Sequence, residues 1–251
     1  MIRIAAVGDL HYGAGSQDIL RPSLQHLPGR ADVLLLAGDL TRCGGPDEIK
    51  ILADELRGLP LPVVAVLGNH DYHANREADV RRALESAQVR VLEGEAIALD
   101  IDGVRLGIAG TKGFGGGFRG AHGSDFGEPE MKAFVGHTKM LSDRLEKALL
   151  GLNAADLRIA LLHYSPIEGT LEGERLEIYP FLGSYLMAEA VDNAGADLVL
   201  HGHAHHGSEK GRTPAGIPVR NVAQPLIRHA YNVYTLNGHR ELLPAAAGGI
   251  T

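Results

Sequence analysis

The chain has 251 residues, of which 45% are hydrophobic and 22% are charged. These fractions are typical of a folded globular protein and exclude a disordered or fibrous chain. The formal net charge of −7, without a cluster of Lys and Arg, provides no electrostatic footprint for nucleic acid, so we expect no nucleic-acid partner.

The chain begins with the apolar run "IRIAAV" (2–7), which is followed almost at once by Asp9. This run is too short for a signal peptide or a spanning helix, so we expect no membrane segment and a cytoplasmic location. The single cysteine, Cys43, excludes an internal disulfide and a thiolate metal site, and we expect it to be partly buried.

Five apolar, β-branched runs predict buried strands. They are "IRIAAV" (2–7), "DVLLLA" (32–37), "PVVAVL" (62–67), "LRIALL" (157–162) and "ADLVL" (196–200). Helical patterns at 45–59 and 75–87 separate the early runs, and Pro46 suits the first turn of the first helix. This alternation predicts a parallel sheet with both faces covered.

The stretch 96–110 predicts an antiparallel hairpin, because alternating apolar residues flank the turn pair Asp102-Gly103. An amphipathic pattern predicts a long helix over 130–152, and "IPVRNVAQ" (217–224) and "AYNVYTLNG" (230–238) predict two further strands. Mixed sheets with helices outside fit these elements best. No linker or low-complexity tract divides the chain, so we expect a single domain over residues 1–251.

Polar clusters follow the five predicted buried strands. They are Gly8-Asp9-Leu10-His11, Gly38-Asp39, Gly68-Asn69-His70-Asp71, His163 and Gly202-His203-Ala204-His205. In open α/β sheets ligands bind beyond the carboxyl ends of strands, so these clusters are expected to converge.

The clusters supply carboxylate, amide and imidazole ligands without sulfur. Such a set suits Mn, Fe, Zn, Co or Ni better than Ca, whose ligands are oxygens alone. Seven ligands are too many for one catalytic ion, so they predict two divalent ions that share a bridging carboxylate.

The motifs Asp-x-His, Gly-Asp, Gly-Asn-His-Asp, His and Gly-His-x-His occur in this order between residues 8 and 205. In this order they resemble the calcineurin-like metallophosphoesterase superfamily, and they look closest to its bacterial small phosphodiesterases and phosphatases. The resemblance implies a four-layer α-β-β-α sandwich of two mixed sheets flanked by helices. It also implies a ligand set for two ions: Asp9, His11 and His205 for the first, Asn69, His163 and His203 for the second, and Asp39 as the bridge.

The same resemblance assigns His70 as the general acid, oriented by Asp71. It implies hydrolysis of a phosphodiester or phosphomonoester, on a small phosphorylated substrate, by in-line attack of a metal-bridging hydroxide. Mn, Fe and Zn stay open as the metals, and the sequence does not indicate an oligomeric state.

Two other functions stay open on the same scaffold. One is a non-catalytic binding or scaffold protein, against which the presence of His70 counts. The other is a nuclease of the superfamily, against which the lack of extra domains and of a basic surface counts.

The stretch "LVLHGHAHHG" (198–207) contains four histidines. An extended backbone around Ala204 would turn the rings of His203 and His205 to the same side. We expect His201 to be a satisfied core residue and His206 to have an outer role, from which it could reach a substrate oxygen. Four other histidines, His26, His137, His229 and His239, are expected at the surface or in packing.

Two long segments, 110–127 and 164–183, follow strands and are either plain surface loops or a lid over the metals. Long loops in a compact domain are often functional, and the glycines of the first segment allow movement. Phe114, Phe118, Arg119 and Tyr179 offer stacking and phosphate contacts. We therefore predict that the two segments select the substrate.

Overall fold

The structure is a computed structural model, and it describes residues 1–237 and 242–244. The helices in this part of the chain are α1 (Arg21–Leu24), α2 (Pro46–Leu56), α3 (Glu77–Ser86), α4 (Pro129–Leu150), α5 (Tyr179–Leu182), α6 (Tyr185–Ala194) and α7 (Gln224–Ile227). The strands are β1 (Ile2–Val7), β2 (Val33–Ala37), β3 (Val63–Val66), β4 (Val89–Val91), β5 (Glu95–Ile101), β6 (Val104–Thr111), β7 (Gly117–Phe118), β8 (Ala121–His122), β9 (Leu157–Leu162), β10 (Leu198–His201), β11 (Lys210–Arg212), β12 (Pro218–Asn221), β13 (Asn232–Leu236) and β14 (Leu242–Pro244).

Two six-stranded mixed sheets form the centre of the fold. The first has the order β14-β13-β1-β2-β3-β4, in which β1 to β4 are parallel and β13 pairs antiparallel with β1. The second has the order β11-β12-β10-β9-β6-β5, with a parallel centre and antiparallel strands at both edges. The predicted mixed sheets are confirmed.

Three apolar layers hold the sheets and helices together. Along β2 the side chains alternate, so that Leu34 and Leu36 pack with α2 and α3 while Leu35 packs between the two sheets. On the other face of the second sheet, Leu162 packs with α4 and α6. Helix, sheet, sheet and helix therefore form four layers, as the resemblance implied.

The long periodic elements follow the sequence prediction within a few residues. The predicted hairpin is β5 and β6, and its turn has positive φ at Asp102 (49°) and Gly103 (79°), as a tight two-residue hairpin requires. The short strands β4, β7, β8, β11 and β14 and the helices α1, α5, α6 and α7 were not predicted. Their sequences are too short or too irregular to show a period of their own.

Two further observations concern the expectations for Cys43 and for membrane segments. Cys43 is exposed, so the expectation of partial burial was wrong. It lies in the loop before α2, where its backbone N–H donates to Glu48 Oε2 (2.8 Å). Within the described residues no helix is both long enough and apolar enough to cross a membrane.

Candidate metal centre

The polar clusters of both sheets meet at one edge of the fold. Asp9, Asp39 and Asn69 follow β1, β2 and β3 of the first sheet, while His163 follows β9 of the second. His203 and His205 lie just beyond β10. Because the sheets face each other, the loops that follow their parallel strands come together at this edge.

Asp9, His11 and His205 form the first group, with ligand atoms within 4.8 Å of one another. Asp9 is 2% exposed, and its Oδ1 lies 3.0 Å from His205 Nε2. Burial alone would raise the pKa of Asp9, but the hydrogen bond from His205 and the charge of His163 outweigh burial and lower it. The same hydrogen bond raises the pKa of His205.

Asp39, His163 and His203 form the second group, again within 4.8 Å of one another. His163 Nε2 lies 2.9 Å from Asn69 Oδ1 and 3.3 Å from Asp39 Oδ1. The other carboxylate oxygen, Asp39 Oδ2, faces His11 Nε2 at 3.9 Å. Asp39 is 1% exposed. Because one of its oxygens faces each group, Asp39 lies between the two.

Strained backbone is concentrated in these loops. Asp9 (φ 58°), His11 (φ 47°), Asp39 (φ 51°) and His203 (φ 71°) lie in the left-handed region, which costs about 1–3 kcal/mol for each non-glycine residue. Gly68 is required by close approach, because a Cβ there would lie 2.1 Å from Asp39 Oδ1. Such strain persists where the surrounding structure fixes it and is frequent at functional sites.

The backbone around Ala204 is not the extended strand that we expected. His203 has a positive φ, and a turn follows it. The two rings therefore do not share one side as alternate strand residues would. His205 contacts Asp9, whereas His203 packs beside His163 with ring centroids 4.8 Å apart.

Two observations show that these residues fit divalent cations. His11 Nε2 is buried and has no hydrogen-bond partner among the described residues. His163 donates Nδ1–H to the Ala37 carbonyl (2.9 Å), so its Nε2 presents a lone pair to the oxygens of Asn69 and Asp39. Lone pairs that face one another at these distances repel unless a cation or a proton lies between them, and the ligand types suit a borderline divalent ion.

His70 lies beside this centre with a different environment. Its Nδ1–H donates to the Arg42 carbonyl (2.7 Å), and its Nε2 lies 3.8 Å from Asp39 Oδ2. The ligand atoms of His11, Asp39 and His70 also lie within 4.8 Å of one another. His70 is half-exposed, so its Nε2 remains accessible to a molecule at the centre.

Among the described residues Asp71 makes no hydrogen bond with the His70 ring, and its expected orienting role stays a prediction. Its buried carboxylate accepts the backbone N–H groups of Leu40 (3.1 Å), Thr41 (2.8 Å) and Gly68 (2.8 Å), and also the Thr41 hydroxyl (2.6 Å). Asp71 therefore joins the loop after β2 to the loop after β3. The loop after β2 also carries the Arg42 carbonyl, so Asp71 and His70 both hydrogen-bond to that loop.

The other histidines take the following positions. His201 is fully buried, and its Nε2 and Nδ1 contact Thr170 Oγ1 (2.8 Å) and the Gly202 carbonyl (2.7 Å), which confirms a satisfied core residue. His206 is exposed, and its backbone N–H donates to Glu174 Oε1 (2.7 Å). His26 and His137 are exposed and His229 is half-buried, while His239 lies outside the described residues.

Residues 110–118 of the first predicted lid segment pack onto the fold, whereas residues 119–127 are mostly exposed. Phe118 is 3% exposed and packs with Leu171 and Leu182, so its ring has almost no surface for a substrate. Phe114 packs against Phe134 and Tyr164, with ring centroids 5.1 and 5.8 Å away. Both aromatic rings therefore have partners within the protein, which the local sequence did not indicate.

Arg119 and Tyr179 also have partners within the protein. The Arg119 guanidinium forms an ion pair with Glu189 and lies 5.3 Å from the centroid of the Tyr185 ring. The Tyr179 hydroxyl donates to the Leu171 carbonyl (3.0 Å). The second segment does reach the metal centre, because His203 Nε2 contacts the Phe181 carbonyl (3.3 Å).

Two residues next to the centre were not selected from the sequence. Lys112 follows β6, and its carbonyl accepts the backbone N–H groups of His163 (3.1 Å) and Tyr164 (3.0 Å). The Tyr164 ring lies 4.4 Å from that of His203. The rule that polar residues follow strands applies to "GIAGTKG" as well and offers Lys112 as a candidate.

A mixed two-sheet sandwich with this histidine and aspartate cluster at its strand ends defines a metallophosphoesterase fold. Residues 2–207 match the family model of the calcineurin-like phosphoesterases, and the chain belongs to that family.

Among curated proteins, the chain is 23% identical over 207 residues to the uncharacterised protein YpbG of Bacillus subtilis, covering 82% of this chain and 62% of YpbG. A shorter match of 64 residues, 33% identical, is to the glycerophosphodiester phosphodiesterase GpdQ of Enterobacter lignolyticus, covering 26% of this chain and 23% of GpdQ. The chain thus spans less than two thirds of either relative.

Two solved structures share the fold over nearly the whole chain. The phosphopantetheinyl hydrolase PptH of Mycobacterium tuberculosis superposes with a TM-score of 0.67 at 16% identity, covering 90% of this chain and 92% of PptH. TT1561 of Thermus thermophilus superposes with a TM-score of 0.61 at 20% identity, covering 97% and 98% of the two chains. At these identities the likeness shows the fold alone.

Proposed function

We propose that this protein is a metal-dependent phosphoester hydrolase. The observation that carries the proposal is the position of Asp39 between the two ligand groups: its Oδ1 faces His163 of the second group, and its Oδ2 faces His11 of the first. A carboxylate between two sets of ligands is the arrangement that a two-metal site needs.

We assign seven ligands to two divalent ions of the Mn, Fe or Zn type. The first set is Asp9, His11 and His205, the second is Asn69, His163 and His203, and Asp39 bridges the two. When bound, the two ions supply positive charge for a phosphoryl group and lower the pKa of a bound water. The Ala37 carbonyl holds the His163 ring in the tautomer that directs Nε2 to the centre.

His70 is the proposed proton donor to the departing oxygen. The Arg42 carbonyl fixes its Nδ1–H, which leaves Nε2 as the nitrogen that carries the transferable proton. The ring packs edge-on to His11, with centroids 4.6 Å apart, and so lies at the border of the metal centre. A donor in this position can reach an ester oxygen on a phosphoryl group held there.

A scaffold protein and a nuclease would each require features that differ from those observed. A scaffold protein has no need of a strained, buried ligand set in which His11 Nε2 finds no partner within residues 1–237, and this observation favours the enzyme. A nuclease needs a basic surface for its polymeric substrate, whereas this chain carries 31 Asp and Glu against 24 Lys and Arg. We therefore propose a small phosphorylated substrate, and we retain a single domain over 1–251 and a cytoplasmic location as predictions.

The test is hydrolysis of p-nitrophenyl phosphate and bis-p-nitrophenyl phosphate by purified protein loaded with Mn²⁺. The proposal predicts metal-dependent release of nitrophenolate from at least one ester, and its loss on exhaustive chelation. Metal-loaded protein that hydrolyses neither ester, while binding its ions, contradicts hydrolysis and supports the scaffold function. Hydrolysis only of single-stranded or duplex DNA supports the nuclease.

A further inference from the structure

Lys112 lies beside the second ligand group because of strand register. Thr111 of β6 pairs with Leu162 of β9, so the next residues along the two chains, Lys112 and His163, are neighbours. Residues paired in this way direct their side chains to the same face of a sheet. His163 points between the two sheets towards Ala37 and Asn69, and Lys112 therefore enters the same space.

The Lys112 ammonium is buried among three aromatic rings. The residue is 7% exposed, and its Nζ lies 5.2, 4.8 and 5.1 Å from the ring centroids of Tyr72, Phe114 and Tyr164. The faces of aromatic rings attract a cation and offset part of the cost of its burial. We call these three rings the aromatic cage of Lys112. The Tyr164 ring also contacts His203, so one ring of the cage borders the metal centre.

The hydrogen bonds of this ammonium are incomplete. Its Nζ donates to the Gly113 carbonyl (3.2 Å), and among the described residues no carboxylate oxygen lies within 4.0 Å of it. An ammonium has three N–H donors, so two of them lack a protein acceptor in this part of the chain. Buried charges are normally paired, and an unpaired one points to a missing acceptor.

The neighbouring carboxylate, Glu93, has other partners. Its Oε1 accepts the backbone N–H of Leu67 (3.0 Å), and its Oε2 accepts the Tyr72 hydroxyl (3.2 Å). Burial raises the pKa of Glu93 to about 7. The charges of Glu93 and Lys112 act on each other through space, but the two side chains form no ion pair within 4.0 Å, so Glu93 gives the Lys112 N–H groups no acceptor.

We propose that Lys112 binds the phosphoryl group at the metal centre, and that it makes phosphomonoesters the preferred substrate class. The inference rests on the proposed phosphoesterase function and extends it. A phosphoryl oxygen provides the acceptor that the free N–H groups lack. A monoester carries one more negative charge and one more terminal oxygen than a diester, so an additional cation favours the monoester.

The test compares Lys112→Met with the wild-type protein on two esters that have the same leaving group. These are p-nitrophenyl phosphate, a monoester, and methyl p-nitrophenyl phosphate, a diester. We expect wild-type protein to prefer the monoester, and Lys112→Met to lose roughly tenfold or more in kcat/KM on the monoester but less than about threefold on the diester. Calorimetric titration with inorganic phosphate should show a dissociation constant at least about tenfold higher for the variant.

Two controls separate binding from folding. The same change at the exposed Lys50, on α2, should alter neither the hydrolysis of the two esters nor the binding of phosphate. Since Met fits an apolar cage and removes an unpaired charge, Lys112→Met should retain its metal ions and keep or raise its midpoint of thermal unfolding. A fall of several degrees would instead show that Lys112 holds the fold together, and it would overturn the proposal.

The remaining outcomes distinguish this inference from the proposed function. Equal losses on both esters, or unchanged phosphate binding, overturn the role of Lys112 while the phosphoesterase function stands. Metal-loaded wild-type protein that hydrolyses neither ester overturns both.

Discussion

We inferred both the metal centre and the substrate role of segments 110–127 and 164–183 from residues that follow strands. The structure brings the residues of the centre together, whereas the side chains singled out in the segments contact other parts of the protein. At the centre, buried carboxylates and strained backbone bring the ligand atoms together in compact groups. In the first of the two segments, Phe118 is buried and the Arg119 side chain, 73% exposed, is paired with Glu189. A residue type that suits a substrate is thus a weaker predictor of position than a strand end.

The largest expected effect is at the residue shared by both ligand groups. Asp39→Ala should lower kcat/KM by about 10³-fold or more, because charge stabilisation of several kcal/mol is lost and each ~1.4 kcal/mol is a factor of ten. The variant should also lose most of its bound metal, as measured by inductively coupled plasma mass spectrometry. Asp47→Ala, on the exposed face of α2, is the matched control and should change neither. If Asp39→Ala retained its metal and its activity, Asp39 would not be a bridging ligand.

The next effect separates a proton donor from a ligand at the same centre. His70→Ala should retain its metal but lose about 10²–10⁴-fold in rate on esters with poor leaving groups. The loss should be smaller for nitrophenyl esters, because nitrophenolate departs without protonation. The exposed His26→Ala serves as the control. Loss of metal in His70→Ala would instead place His70 among the ligands, as its closeness to His11 and Asp39 allows.

Asp71 tests whether the loops of the centre act as one unit. Asp71→Ala leaves buried N–H groups of the two loops without an acceptor, which should lower the free energy of unfolding by about 2–4 kcal/mol. Urea denaturation measures this change, and Thr41→Val, which removes one of the donors, should cost less. Unchanged stability together with lost activity would support direct orientation of His70, as the sequence first suggested.

The smallest effect is expected in the predicted lid. The exposed Arg119–Glu189 pair contributes at most about 1 kcal/mol, so Arg119→Ala should retain its stability, metal content and hydrolysis of nitrophenyl esters. If the segment selects the substrate, Arg119→Ala and Glu189→Ala should change the ranking of a panel of phosphoesters in the same way. An unchanged ranking in both variants would show that 110–127 is a surface loop.

The sequence predicted what depends on local pattern. Apolar runs predicted the central strands, and the polar residues after them predicted the carboxylates and imidazoles that form the ligand groups. Three features depend on contacts between loops that are distant in the chain: the partners of Asp71, the turn at His203 and the aromatic rings around Lys112. A local pattern of residues cannot predict such contacts. The same rule of strand ends applies to Lys112, but recognising its position requires the register of β6 against β9.

The central claim is that two divalent ions are held by two ligand groups that share Asp39. It is tested most directly by the metal stoichiometry of protein reconstituted with Mn²⁺ and then desalted, for the wild type, His205→Ala and Asp39→Ala. The account predicts about two ions per chain in the wild type, about one in His205→Ala and fewer than one in Asp39→Ala. A wild-type protein that holds one ion or none, or that remains fully active after exhaustive chelation, would contradict it.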